Sequence, residues 1–249
     1  MGKQNPFLFK EISRTEHWRV PEIILSQCLK HPNRKIIEFT DGPEWTFKDL
    51  KIKSLQKARI LKNLNLKAGD SLTVIIEDPK EFILYWIASN FLGVMFVALN
   101  TAVKGKGLLH QINTSKSKHV IVDNLFFDEV DDLKNNNKLD VEILNCSGLK
   151  NKEIINENEV IFGKLSDNVC SMFTSGTSGP SKGVMMPNAH CVLFAIGTIE
   201  NYDLKHDHVF YISLPLFHAN GLFMQLLACI ITGAKAIIRN RFSASNWLK

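Results

Sequence analysis

Between Lys67 and Leu144 short apolar runs alternate with helical segments, and this alternation limits the fold more than any other feature of the chain. The runs at 71–76, 95–99, 119–123 and 141–144 are largely apolar throughout, as in strands buried on both faces. Helices separate them: one opened by Pro79 and ending near Gly93, one at 106–115 and one at 125–133. Strand, helix, strand with buried strands predicts an α/β protein with a parallel sheet. The flanks fit the same plan. Pro21 opens a helix through Leu29, a strand follows at 36–40, and Asp41-Gly42-Pro43 makes a turn. Thr46 then caps a helix with Asp49 at its third position, in the manner of a capping box. Phe47, Leu50, Ser54, Ala58 and Leu61 share one face of that helix. Further on, Asn188 caps a helix to about Tyr202, and a strand at 209–214, a helix at 222–231 and a strand at 234–239 follow.

A second stretch carries chemistry: Met172-Phe173-Thr174-Ser175-Gly176-Thr177-Ser178-Gly179-Pro180-Ser181-Lys182-Gly183-Val184. An apolar run at 169–173 leads in. The rest suits neither a helix nor a central strand, because Gly, Pro and hydroxyl side chains favour turns and local hydrogen bonds. It suits a loop of N–H and O–H donors ending in a mobile positive charge, which is what a phosphate chain requires. The spacing is not that of the NTPase phosphate loop, G-x-x-x-x-G-K-[ST]. Ser181 stands five residues after Gly176, and Gly183 follows Lys182. A flexible linker is the plainer alternative, but a linker rarely has apolar segments tight on both sides.

The stretch resembles the signature of adenylate-forming enzymes, the acyl-CoA synthetases, luciferases and peptide-synthetase adenylation domains: T-S-G-[ST]-[ST]-G-x-P-K-G-V. Ten of its eleven places agree, and Ser181 stands where the signature has proline. The segments around Thr46–Leu50 and at 66–100 also look like shared segments of that family, so the resemblance runs from about Thr46 to the last residue. It implies a layered parallel-sheet large N-terminal domain of the acyl-CoA synthetase and luciferase type, incomplete at its C-terminal end. Two parts are expected, 1–165 as a first α/β half and 166–249 as the phosphate loop and the start of a second half.

Pro215-Leu216-Phe217-His218 is the other informative group. It follows an expected strand, and ligands in open α/β sheets bind beyond the carboxyl ends of strands. By spacing alone His218 could equally satisfy a local turn. The family carries P-[LM]-[FY]-H here, with the histidine beside the acyl pocket. The resemblance therefore makes His218 a catalytic and substrate-binding candidate, with Asn220 and Gly221 lining the same pocket. It makes Thr174, Ser175, Gly176, Thr177, Ser178, Gly179 and Lys182 the nucleotide-binding residues, Lys182 also catalytic, and Thr174 a contact to Mg2+. Pro-Leu-Phe-His-Ala-Asn, with Arg241-Phe242-Ser243-Ala244-Ser245, looks most like the carnitine-CoA ligase type, which takes small or medium acids.

The implied reaction has two steps. A carboxylate attacks the α-phosphate of ATP to give acyl-AMP and pyrophosphate, and coenzyme A then displaces AMP. The family continues beyond these segments with a Y-G-x-T-E segment, a ribose-binding aspartate and a C-terminal domain with a catalytic lysine, none of which is present here. The expectation is thus the front part of an acid–thiol ligase, inactive alone. The alternative is a non-catalytic nucleotide-binding or interaction fragment that pairs with a separate C-terminal chain.

Composition excludes other classes. Of 249 residues, 45% are apolar, enough for a sizeable core. The net charge of +5, from 30 basic and 25 acidic residues, is spread along the chain and does not argue for nucleic acid. The five cysteines are far apart with no C-x-x-C pair, against zinc or a disulfide framework and in favour of a reducing cytoplasm. His206-Asp207-His208 has no third ligand nearby and reads as solvated. No signal peptide is visible, and the uncharged stretch 82–99 is broken by Ser89, Asn90 and Gly93, so it reads as helix plus strand rather than a membrane span.

Overall fold

A computed structural model describes residues 5–174 and 180–239. In chain order its main elements are α1 (Val20–Lys30), β1 (Lys35–Phe39), β2 (Glu44–Thr46), α2 (Phe47–Asn63), β3 (Ser71–Ile75), α3 (Pro79–Phe91), β4 (Met95–Ala98), α4 (Gly105–Ser115) and β5 (His119–Val122). There follow α5 (Phe127–Asn137), β6 (Glu142–Asn145), β7 (Asn168–Phe173), β8 (Gly183–Pro187), α6 (Asn188–Tyr202), β9 (Val209–Ile212), a π-helical stretch (Asn220–Leu227), α7 (Ala228–Thr232) and β10 (Lys235–Ile238). The chain forms two compact units. One contains residues up to Ile52 together with those from Asn188 on, and the other runs Lys53–Pro187. The halves expected at 1–165 and 166–249 follow chain order, whereas these units interleave.

The Lys53–Pro187 unit is built on a sheet in the order β6-β5-β3-β4-β7-β8. The strands from β6 to β7 run parallel, as the strand–helix alternation predicts. β8 does not: it pairs antiparallel to β7, with Met172 opposite Val184 and Phe173 opposite Gly183. Apolar side chains of β3, β4 and β5, among them Ile75, Val97, Val120 and Val122, pack with Leu108 and Ile112 of α4 and Val130 of α5 into a common core. At the carboxyl ends of β3 and β5, Asp123 Oδ2 accepts from the backbone N–H groups of Glu77 (2.6 Å) and Asp78 (3.1 Å). Burial holds the Asp123 carboxyl above its ordinary pKa. α3 is buried on nearly every position and ends before β4 begins. No helix of the described residues is long and apolar enough to cross a membrane.

The other unit has a sheet in the order β2-β1-β10-β9. β1, β10 and β9 are parallel, and β2 is an antiparallel edge that the sequence reading took for a turn and a helix cap. The cap itself forms as expected. Thr46 N–H donates to Asp49 Oδ2 (2.9 Å) while Asp49 N–H donates to Thr46 Oγ1 (3.2 Å). Phe47, Leu50, Ser54, Ala58 and Leu61, the face anticipated for α2, are all fully buried. The five cysteines are buried, and none forms a disulfide.

A buried amide helps to fasten the N-terminal segment within this unit. Gln27 Nε2 on α1 donates to the carbonyls of Phe7 (2.7 Å) and Ile230 (2.8 Å) and lies 3.1 Å from that of Ile231. Arg34 adds Nε and Nη2 bonds to the Gly233 carbonyl, at 3.0 and 2.9 Å. Removing a buried donor leaves acceptors unsatisfied, at a cost of about 1–3 kcal/mol. Gln27→Leu keeps the bulk and removes the donor. It should lower unfolding stability by about that amount in urea denaturation, and an unchanged midpoint would show that the amide is dispensable.

Candidate active site

The phosphate-binding candidate is the hairpin loop that joins β7 to β8. β7 is an interior strand with Val169, Cys170, Ser171 and Met172 buried, so the chain leaves it at Phe173 from a fixed place. Backbone bonds close the stem. Thr174 N–H donates to the Lys182 carbonyl (3.0 Å), and Lys182 N–H lies 3.4 Å from Thr174 Oγ1. Gly183 lies at the foot of the returning arm, where a Cβ would stand 3.0 Å from Ser171 Oγ, a close contact. The candidates Ser175, Gly176, Thr177, Ser178 and Gly179 lie outside the described residues.

Lys182 and Thr174 are exposed. Among the described residues no carboxylate pairs with the Lys182 ammonium, which leaves its charge for an anionic ligand. The returning arm has partners that the sequence reading missed. Ser181 meets His110 and Gln111 of α4, the helix that packs against β8. These helix residues are distant from Ser181 in sequence, and a polar pair on a helix reads as a solvated face. No local signal marked them.

His218, in the other unit, is placed by a tight turn beyond β9. Its N–H donates to the Pro215 carbonyl (3.1 Å), and its carbonyl accepts from Leu222 N–H (3.1 Å). The imidazole contacts the Phe217 ring at 4.7 Å between centroids. It is exposed, yet partial desolvation holds its pKa below 6.5, so the ring is neutral at neutral pH. Asn220 is also exposed and its Oδ1 accepts from Gln225 Nε2 (3.1 Å). Gly221 is buried because a Cβ there would lie 2.6 Å from the Pro215 carbonyl oxygen and 2.8 Å from that of Leu214. The chain then winds as a π-helix from Asn220 to Leu227, where the sequence predicted an α-helix. This form is rare and concentrates at functional sites. Arg241-Phe242-Ser243-Ala244-Ser245 lies outside the described residues. Among the described residues no group of three or more His, Cys, Asp or Glu is arranged to hold a metal.

The sequence matches the AMP-binding enzyme family over residues 25–249. The chain belongs to that family. It is 24% identical to long-chain fatty acid transport protein 6 of Mus musculus, over 94% of this chain and 40% of that protein. To the 2-succinylbenzoate–CoA ligase of Bacillus licheniformis it is 29% identical, over 82% of this chain and 41% of the ligase. Among solved structures it is similar to o-succinylbenzoate CoA synthetase of Bacillus subtilis in complex with its acyl-adenylate intermediate. That TM-score is 0.81, at 25% identity over 91% of this chain and 57% of the other. The fold is thus that of the N-terminal domain of adenylate-forming enzymes, and the chain spans less than half the length of the curated relatives named here.

Two outcomes follow from the His218 turn. Gly221→Ala should cost about 1–3 kcal/mol of stability through overpacking against two carbonyls, and a wild-type melting temperature would contradict that close approach. The His218 ring should titrate below 6.5 when followed by NMR. Because its folded pKa is depressed, its share of stability is complete above the unfolded value and is lost as the pH falls toward the folded one. A midpoint above 6.5 would contradict this assignment.

Proposed function

We propose that this chain supplies the phosphate loop and part of the acid pocket of an acyl-CoA synthetase. Such an enzyme activates a carboxylic acid as its acyl-adenylate at the expense of ATP and then transfers the acyl group to coenzyme A. The observation that carries this reading is the hairpin stem closed by Thr174 and Lys182, with no carboxylate on the Lys182 ammonium among the described residues. Family membership gives independent support, and so do two complexes of the Bacillus subtilis synthetase, one with its acyl-adenylate and one with a CoA product analogue.

In this reading Lys182 neutralises the leaving pyrophosphate, and the loop donors hold the phosphates in line with the attacking carboxylate. Neutral His218, with Asn220 and Gly221, orients the acid. The exposed hydroxyl of Thr174 would hold a Mg2+ ion, as a Ser or Thr hydroxyl does beside phosphate loops of NTPases. When bound, that ion offsets phosphate charge. Buried thiols that form no disulfide favour a reducing compartment, the cytoplasm.

The test is acid-dependent exchange of pyrophosphate into ATP by the full translated product that contains these residues, across a panel of short to long carboxylic acids. Lys182→Ala deletes a charge-assisted contact worth about 1.5–3 kcal/mol, so KM for ATP should rise about 10- to 100-fold. An unchanged rate at low ATP would remove Lys182 from the site. Nucleotide binding without exchange for any acid would favour a non-catalytic nucleotide-binding role instead.

A further inference from the structure

Ser181 precedes Lys182 on the returning arm of the hairpin loop, at the place where the signature described above has proline. A proline there fixes φ and stiffens the arm, and serine does neither. In this chain the arm is held from outside. His110 Nε2 lies 2.9 Å from the Ser181 carbonyl oxygen, and since a carbonyl only accepts, that nitrogen carries the proton. Gln111 Nε2 donates to Ser181 Oγ at 3.0 Å. Gln111 is 3% exposed, and its Oε1 has no partner among the described residues.

Burying an amide is unfavourable unless it is hydrogen-bonded, and the only side-chain partner of Gln111 among the described residues is Ser181. The glutamine thus serves the loop arm rather than its own helix. Both contacts come from adjacent positions on α4, whose Leu108 and Ile112 are anchored in the core. They therefore grip the arm from a rigid element, one residue from the lysine and next to the Thr174–Lys182 stem.

We propose that Ser181, His110 and Gln111 form a latch that takes over the stiffening role of the missing proline and sets the backbone from which Lys182 reaches the ATP phosphates. These are positioning residues, and the inference rests on the adenylation reading above. The loop of this chain is thereby coupled to α4, and substitutions on that helix tune nucleotide affinity without touching the nucleotide.

The experiment uses the full translated product and the variants Gln111→Leu, Ser181→Ala, their double combination, Ser181→Thr, and Gln111→Leu with Ser181→Pro. Kd for Mg2+-ATP should rise about fivefold in Gln111→Leu and in Ser181→Ala, and no further in the double variant, because both remove the same contact. Ser181→Thr should stay near wild type. Ser181→Pro should restore affinity in the Gln111→Leu background, since the ring then stiffens the arm without the helix. KM for the acid and for coenzyme A should not move. Amide hydrogen exchange at residues 181–184, measured without nucleotide, should speed up in Gln111→Leu and slow again with Ser181→Pro. Faster exchange with unchanged ATP affinity would overturn the positioning role, as would additive losses in the double variant. If the wild-type protein binds no ATP, the adenylation reading fails by itself. Hydrogen exchange still decides the latch, and unchanged protection in Gln111→Leu overturns it.

Discussion

The double pairing of β7 is the constraint on which the hairpin stem at Thr174 and Lys182 depends. Its backbone is bonded to β4 on one side and β8 on the other, and its central side chains are buried. A strand satisfied on both edges has no freedom to slide, because a shift of one residue would turn its buried side chains toward the wrong face. Thr174 therefore begins the loop from a fixed point. The antiparallel return through β8 brings Lys182 back beside it, and α4 holds Ser181. A site for a highly charged ligand gains from such preorganisation, since order created by the fold need not be created by binding.

The second unit fixes its own contribution by a different device. A buried amide and a guanidinium hold the N-terminal segment and the α7–β10 turn together. On that base the Pro215–His218 turn and the π-helix after it set the histidine. Gly221 permits the approach of two carbonyls that no side chain would tolerate. The result is an exposed but partly desolvated imidazole, neutral at neutral pH, suited to hydrogen bonding rather than to fixed charge. Lys182 thus adjoins one sheet and His218 follows a strand of the other.

Part of this was legible in the sequence because it is local. Gly, Ser, Thr and Lys within a dozen residues define a donor-rich loop wherever it is placed. Apolar runs between helical segments define buried parallel strands, and Thr46 with Asp49 defines a cap. What the sequence alone left undetermined was pairing between distant segments. β1 joins β10 although Ile37 and Ala236 are far apart in the chain, and Gln111 reaches Ser181 across the unit. β8, bounded by Gly183 and Pro187, carries no strand signal of its own and becomes a strand through β7. The sequence by itself determined the class of fold and the Thr46–Asp49 cap, since side-chain type and spacing act over a few residues. Only tertiary structure decided which strands are neighbours, which segments share a unit, and which helix meets Ser181, because these are chosen by the joint burial of faces that no local pattern brings together.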